Sequence, residues 1–392
     1  MRRIISVTLQ ILIIIAISVG LLELVLRVAA PRLPGQIGVV ARYVTTGQPF
    51  SEAWTPAWRE NRDHFYALRP GIENALQYGS PSVSFRLTTH KLWDDGLPPD
   101  EGIGFRTAPV DFAPDVVVVG DSFGFCFTEQ ADCWVDQLAA MTGDHIVNLS
   151  TPVTGSLSHA RMIEDFAAPL EPPIVLWQFF GNDFYDDYVL HAWRGDIDPM
   201  RTGETVDTGG SWITRNTVIG ALLELVATGT WSGLPAGDRA YEPRYSAPYP
   251  GGLLKFGKQY ELTALDMSRA ETQYGLEQTR AALRDAKARV EAWGGALAVV
   301  IIPTREEVYS AITGPVMGAD QLAILSGARE AMHTLCAEIE LPCFDAMDAF
   351  STPEAVTTAL YYADDMHLNP NGNRVLAEAV MPWLADLGGA ND

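Results

Sequence analysis

At 392 residues and 47% hydrophobic content the chain has material for one large domain or two ordinary ones, and this excludes an intrinsically disordered polymer. Its 27 basic and 49 acidic residues give a formal charge of -22, which repels nucleic acid and excludes a polyanion-binding protein.

Residues 4–22, after Arg2 and Arg3, carry no charge. As a helix they are long enough to cross a hydrocarbon core of about 30 Å. The run is longer than the apolar core of a cleaved signal, and Pro31 directly after Val28-Ala29-Ala30 disfavours cleavage there. Residues 1–30 are therefore expected to form a cytoplasmic tip and a transmembrane anchor, with Glu23 and Arg27 paired one helical turn apart at the membrane exit. The rest of the chain is expected to be periplasmic or otherwise extracytoplasmic. Residues 31–110, rich in Pro, Gly and aromatics, read as a linker and an N-terminal wrap. Within the wrap, Val83, Phe85 and Leu87 alternate with polar residues as in a half-buried strand.

From residue 111 onward short apolar runs alternate with amphipathic segments. Residues 116–119, 146–149, 174–180 and 297–302 are expected to be strands buried on both faces, with a shorter one at 342–344. Helices are expected after Asp132 as far as Gly143, over 269–293, over 321–340 and from about Gly372. This alternation predicts an α/β fold, a three-layer α/β/α sandwich around a flavodoxin-like parallel sheet. Residues 195–268 interrupt the pattern and are expected to be an insertion, with a helix near 217–228. Cys126 and Cys133 are seven apart, as are Cys336 and Cys343. Each pair can close a small disulfide loop in an oxidising compartment or remain as buried thiols. Neither spacing is of a zinc-binding type, so no metal is expected.

In open α/β sheets ligands bind outside the carboxyl ends of the strands, and the residues with chemical potential cluster at such ends. Gly120-Asp121-Ser122-Phe123 follows the first core strand, where a turn can expose the hydroxyl of Ser122 and its backbone N–H. Gly155 lies in the loop after the second strand, and Gly181-Asn182-Asp183 follows the third; the Gly155 N–H and the Asn182 side-chain amide are candidate donors to an oxyanion. Near the C-terminus, in Asp364-Asp365-Met366-His367, Asp364 is the candidate acceptor for the imidazole Nδ1–H, with Asp365 read as less well placed. Of the other histidines, only His159 competes for the role of base.

Taken in order, these segments resemble the signature blocks of the SGNH, or GDSL-type, hydrolases over about residues 115–380. The resemblance implies ester chemistry without a cofactor or metal. Ser122 would be the nucleophile and His367 with Asp364 its base, while Ser122, Gly155 and Asn182 would form the oxyanion hole. A further run, Ile302-Pro303-Thr304-Arg305-Glu306-Glu307-Val308-Tyr309, is similar to one in SGNH-like proteins that acetylate exopolysaccharides. The reading is thus a membrane-anchored esterase or deacetylase acting on an ester-bearing carbohydrate or lipid. The alternatives are an O-acyltransferase acting on a cell-envelope polysaccharide, and a non-catalytic accessory subunit docked to a membrane-protein partner.

Overall fold

A computed structural model of the chain describes residues 2–33, 35–46, 58–77, 82–110, 112–198, 211–228, 231 and 243–389. The chain divides into two compact units, the first formed by Met1–Thr55, Gln77–Pro81 and Gly203–Arg239, the second by the remainder.

In the first unit, Arg2–Ala29 forms one helix, followed by a helix over Gly35–Thr46 and a pair over Trp212–Asn216 and Val218–Thr228. The expected Glu23–Arg27 pair forms at 2.8 Å. Glu23 does more than pair, because its two carboxylate oxygens accept the Val218 and Ile219 N–H groups at 2.8 and 3.0 Å. A carboxylate there satisfies amides that have no partner in the first turn of a helix and complements its dipole. Ala30, Ala41 and Val218 pack together, as do Val40, Ala221, Leu225 and Trp231. Among the described residues no helix is long and apolar enough to cross a membrane, so the expected transmembrane span is not supported; several side chains of residues 4–22 lie outside the description.

The second unit begins with two antiparallel pairs, β1 (Trp58–Asn61) with β2 (Phe65–Leu68) and β3 (Glu73–Gln77) with β4 (Ser84–Thr88). Phe85 and Leu87 of β4 point inward, as their alternation predicts. The core sheet is parallel and five-stranded: β5 (Val116–Val119), β6 (Ile146–Asn148), β7 (Ile174–Phe179), β10 (Ala296–Ile301) and β11 (Cys343–Asp345), in the spatial order 11-10-7-5-6. Between β7 and β10 in sequence lies an antiparallel hairpin, β8 (Tyr245–Tyr249) and β9 (Gly252–Phe256). Every residue of β5 and β7 is buried, which explains their unbroken apolar composition, since helices cover both faces of a parallel sheet.

The long helices Ala270–Ala292 and Ala319–Ile339 begin and end within two residues of expectation, and the last helix starts at Pro370. Capping of Trp134–Thr142 differs from expectation. Cys133 occupies the N-cap, Asp132 ends a preceding 3-10 turn, and Gly143 closes the helix with φ 81°, a left-handed conformation that suits glycine. Of the segment 195–268, Gly203–Arg239 falls in the first unit and the β8–β9 hairpin in the second. Both cysteine pairs are disulfides, Cys126–Cys133 and Cys336–Cys343, with Cα separations of 5.4 and 6.3 Å.

The order of the sheet decides where a site forms. The chain leaves β5 for β6 on one side and then crosses to β7 on the other, so β5 has diverging neighbours. The crevice above its carboxyl end is a switch point of the kind where α/β sheets bind ligands.

Candidate active site

Ser122 opens a one-turn helix, Ser122–Phe125, directly beyond β5. Asp121 caps it, its side chain accepting the Phe123 N–H at 2.8 Å. From near the carboxyl end of the neighbouring β7, the buried amide oxygen of Gln178 accepts both the Asp121 N–H at 3.0 Å and the Gly124 N–H at 2.9 Å. A Cβ on Gly120 or Gly124 would collide with side-chain atoms of Gln178 or Ser150, so glycine is what lets the turn press against the sheet. The Phe125 N–H donates to the Asp121 carbonyl. Among the described residues the Ser122 N–H alone of these first-turn amides has no acceptor, the condition an oxyanion donor requires.

The structure brings His367 to this serine across 245 positions of sequence. Its Nε2 lies 2.8 Å from Ser122 Oγ, and its Nδ1 lies 2.5 Å from Asp365 Oδ1. The carboxylate on the imidazole is thus Asp365, which corrects the expectation that Asp364 holds it. Asp364 instead accepts from Ser82 Oγ at 2.9 Å. The physical reason is the tight bend at 364–367. The His367 N–H folds back onto Asp365 Oδ1 at 3.0 Å, so one carboxylate oxygen receives both the backbone and the ring of the residue two positions on. Asp365 is buried, which opposes ionisation, yet the charges of His367 and Lys258 and the hydrogen bonds from His367 hold it well below the usual carboxylate range. The imidazole packs against Phe123 and Phe127, with ring centroids 4.9 and 4.5 Å away.

Asn182 caps the helix Asp183–Arg194 beyond β7, and its amide donates to Asp186 Oδ2 at 2.7 Å. The same NH2 group makes a longer contact, 3.4 Å, with Tyr260 Oη. Asp186 is fully buried and pushed up to about 8, first by desolvation and then by the charge of Asp121; bonds from Asn182 and Tyr260 oppose the shift. Burial likewise raises Asp121 to about 6. Gly155 stands at the N-terminus of the helix Ser156–Met162. A Cβ there would lie 2.6 Å from both the Asp183 carbonyl and Asp187 Oδ1, so close packing on the Asn182 helix is reason enough for glycine. His159 is buried beside Trp177 and Thr154, where desolvation lowers it to about 3; it pairs with Thr154 Oγ1 at 3.3 Å. Among the described residues no group of three or more His, Cys, Asp or Glu is placed to hold a metal ion.

Two residues of this arrangement escape a reading of the sequence, Gln178 and Lys258, and a third, Asp365, is visible there only as the lesser of two adjacent aspartates. Gln178 does leave a signal, as the one amide in the otherwise apolar strand β7.

Residues 262–391 match the family model ALGX, described as SGNH hydrolase-like domain, acetyltransferase AlgX. No curated protein matches the sequence significantly. Among solved structures the chain is similar to TesA, with 15% identity over 69% of this chain and 98% of that one and a TM-score of 0.36. It is similar also to the acetyl xylan esterase AlAXEase, with 11% identity, 69% and 98% coverage and a TM-score of 0.35. A third is the lipase/acylhydrolase from Enterococcus faecalis, with 12% identity, 70% and 96% coverage and a TM-score of 0.33. Residues 262–391 are thus similar to an SGNH hydrolase-like domain of the AlgX type.

Proposed function

We propose that the protein performs serine-dependent acyl chemistry on an ester, with Ser122 as nucleophile, His367 as base and Asp365 as the carboxylate that orients it. The observation that carries this reading is the continuous line from Asp365 Oδ1 through His367 to Ser122 Oγ, with separations of 2.5 and 2.8 Å. A serine hydroxyl is a weak nucleophile until an adjacent base takes its proton. In this reading His367 Nε2 accepts that proton as Oγ bonds to the ester carbon. The Ser122 N–H and the Asn182 amide, with the Gly155 N–H, receive the charge that develops on the carbonyl oxygen; one such donor is typically worth about 2.7–4 kcal/mol. The imidazolium then protonates the leaving alcohol, and the acyl group rests on Ser122. A second hydroxyl, deprotonated by the same imidazole, takes the acyl group away.

Two acceptors compete at that last step. Nothing in the geometry of the triad excludes water, which gives an esterase or deacetylase. The match to an acetyltransferase family over 262–391, which spans Asp365 and His367, favours a carbohydrate hydroxyl. The test is to load the purified chain with an acetyl-bearing chromogenic ester and follow acetyl release with and without an O-deacetylated oligosaccharide. Acetylated oligosaccharide forming in excess of free acetate supports transfer, acetate alone supports hydrolysis, and no turnover of the ester in either case overturns the reading.

The two disulfides support a location for the domain in an oxidising, extracytoplasmic compartment. Attachment to a membrane through the N-terminal helix is supported by its exposed Ile14, Ile17, Leu21 and Val25 side chains, 57–63% accessible along two turns and more. Carbonate washing of membranes from cells expressing the full chain is expected to leave it in the pellet; release into the supernatant overturns the attachment.

A further inference from the structure

The segment 361–367 carries both Asp365 and His367, and other parts of the second unit hold its backbone in place. Tyr249 Oη donates to the Tyr361 carbonyl at 2.5 Å, the Lys255 N–H to the Ala363 carbonyl at 2.6 Å, and Arg305 Nη1 to the Asp365 carbonyl at 2.7 Å. Two of these three braces come from the β8–β9 hairpin. The hairpin ends at Gly257, whose φ of 69° turns the chain so that its N–H meets Glu306 Oε1 at 3.1 Å and the next residue, Lys258, enters the interior. Lys258 is only 6% exposed. Lysine is almost never buried to that degree without a counter-charge, and its ammonium lies 3.8 Å from Asp365 Oδ2, the oxygen that His367 leaves open.

The other charges around it define its part. Glu261, from the helix Gln259–Ala264, and Arg305 and Glu306, from the helix N-terminus beyond β10, are all buried. Arg305 directs its guanidinium to Glu306 at 3.3 Å and Glu261 at 3.8 Å, and gives Asp365 a backbone bond only. The charge of Asp121 also acts on His367, and Asp364 adjoins Asp365 in sequence. The local balance is therefore acidic, and Lys258 is the cation on the Asp365 carboxylate.

We infer that Lys258 is a positioning residue of the Asp365–His367 pair: its buried ammonium, 3.8 Å from Asp365 Oδ2, holds that carboxylate aimed at Nδ1, and its charge tunes the pH dependence of the Ser122–His367 pair. The inference rests on the serine-nucleophile reading above. The sign follows from the charges. Removing a cation from this acidic surround makes the imidazolium easier to form, so His367 stays protonated to higher pH and the acid limb of activity moves upward.

The experiment measures the rate of Ser122 labelling by a fluorophosphonate probe against pH, in the purified full chain, which requires no knowledge of the natural substrate. Lys258→Met is expected to move the acid limb upward by ~1 pH unit, with about a tenfold loss of rate below the limb, while Lys258→Arg keeps the limb near its wild-type position. A merely structural lysine would lower the melting temperature of the variant and leave the limb where it was. Should Lys258→Met not fold, Lys258→Gln keeps a polar group at the buried position while removing the charge, and is expected to fold with the limb displaced in the same direction. A folded variant with an unmoved limb, or Lys258→Arg displaced as far as Lys258→Met, overturns the inference while the serine reading stands. A wild-type chain that the probe does not label overturns both.

Discussion

Replacing Ser122 by alanine is expected to abolish turnover of a chromogenic ester and labelling by a fluorophosphonate, with little change in stability. Loss of the nucleophile in a serine hydrolase costs on the order of a millionfold in kcat, leaving the residual rate that oxyanion donors and binding supply. The cost to the fold should be small. The Asp121 cap on the Phe123 N–H and the two bonds to Gln178 do not involve the serine side chain, so the turn survives without it. What disappears is the buried 2.8 Å hydrogen bond between Oγ and His367 Nε2, worth about 1 kcal/mol net, and a long 3.4 Å contact with Asp121 Oδ2. Melting curves of the two proteins should therefore nearly superimpose while their activities differ by orders of magnitude. A Ser122→Ala protein that keeps its esterase rate would mean that the chemistry belongs to another group.

How far the sequence leads to this site depends on the range of the interactions involved. Strands β5 and β7 are legible because burial on both faces demands an unbroken apolar run, and Ser122 and Asn182 follow as the polar residues where those runs stop. Gln178 is visible but uninterpretable in sequence, since a lone amide in a buried strand gains meaning only when the Asp121 and Gly124 N–H groups arrive to meet it. Lys258 and Arg305 belong to segments 107 and 60 positions before Asp365, and only the folded arrangement of hairpin, sheet and closing loop makes them neighbours. The middle of the 195–268 segment was legible as a helix but not in its destination. Its Val218 and Ile219 amides are claimed by Glu23, nearly two hundred residues earlier. Local periodicity yields elements, whereas charge compensation between distant elements has no signature in the chain.

The sharpest case is the choice between two adjacent aspartates, and it gives the second large effect. Asp365→Asn is expected to lower kcat by about four orders of magnitude, whereas Asp364→Asn changes it by no more than about twofold. The argument is one of tautomers. A carboxylate at 2.5 Å from Nδ1 can only accept, so it keeps the proton on Nδ1 and the lone pair on Nε2, which faces Ser122 Oγ. An amide in its place can turn its NH2 toward Nδ1 and fix the opposite tautomer, which places a proton on Nε2 where the base should be. Asp364 is half-buried and accepts from Ser82 Oγ, a contact that an amide oxygen reproduces. Acidity separates the two residues as well. Because Asp365 is held below the usual carboxylate range, its ionised form stabilises the fold at all pH values above its unfolded pKa, and that contribution is lost only as pH falls through the depressed folded value. Asp365→Asn should therefore melt earlier than wild type at neutral pH, by a margin that closes in strong acid, and activity must be compared per folded molecule. If instead Asp364→Asn proves the inactive variant and Asp365→Asn retains turnover, the imidazole is held in solution by the other carboxylate, and the bend at 364–367 must reverse before catalysis.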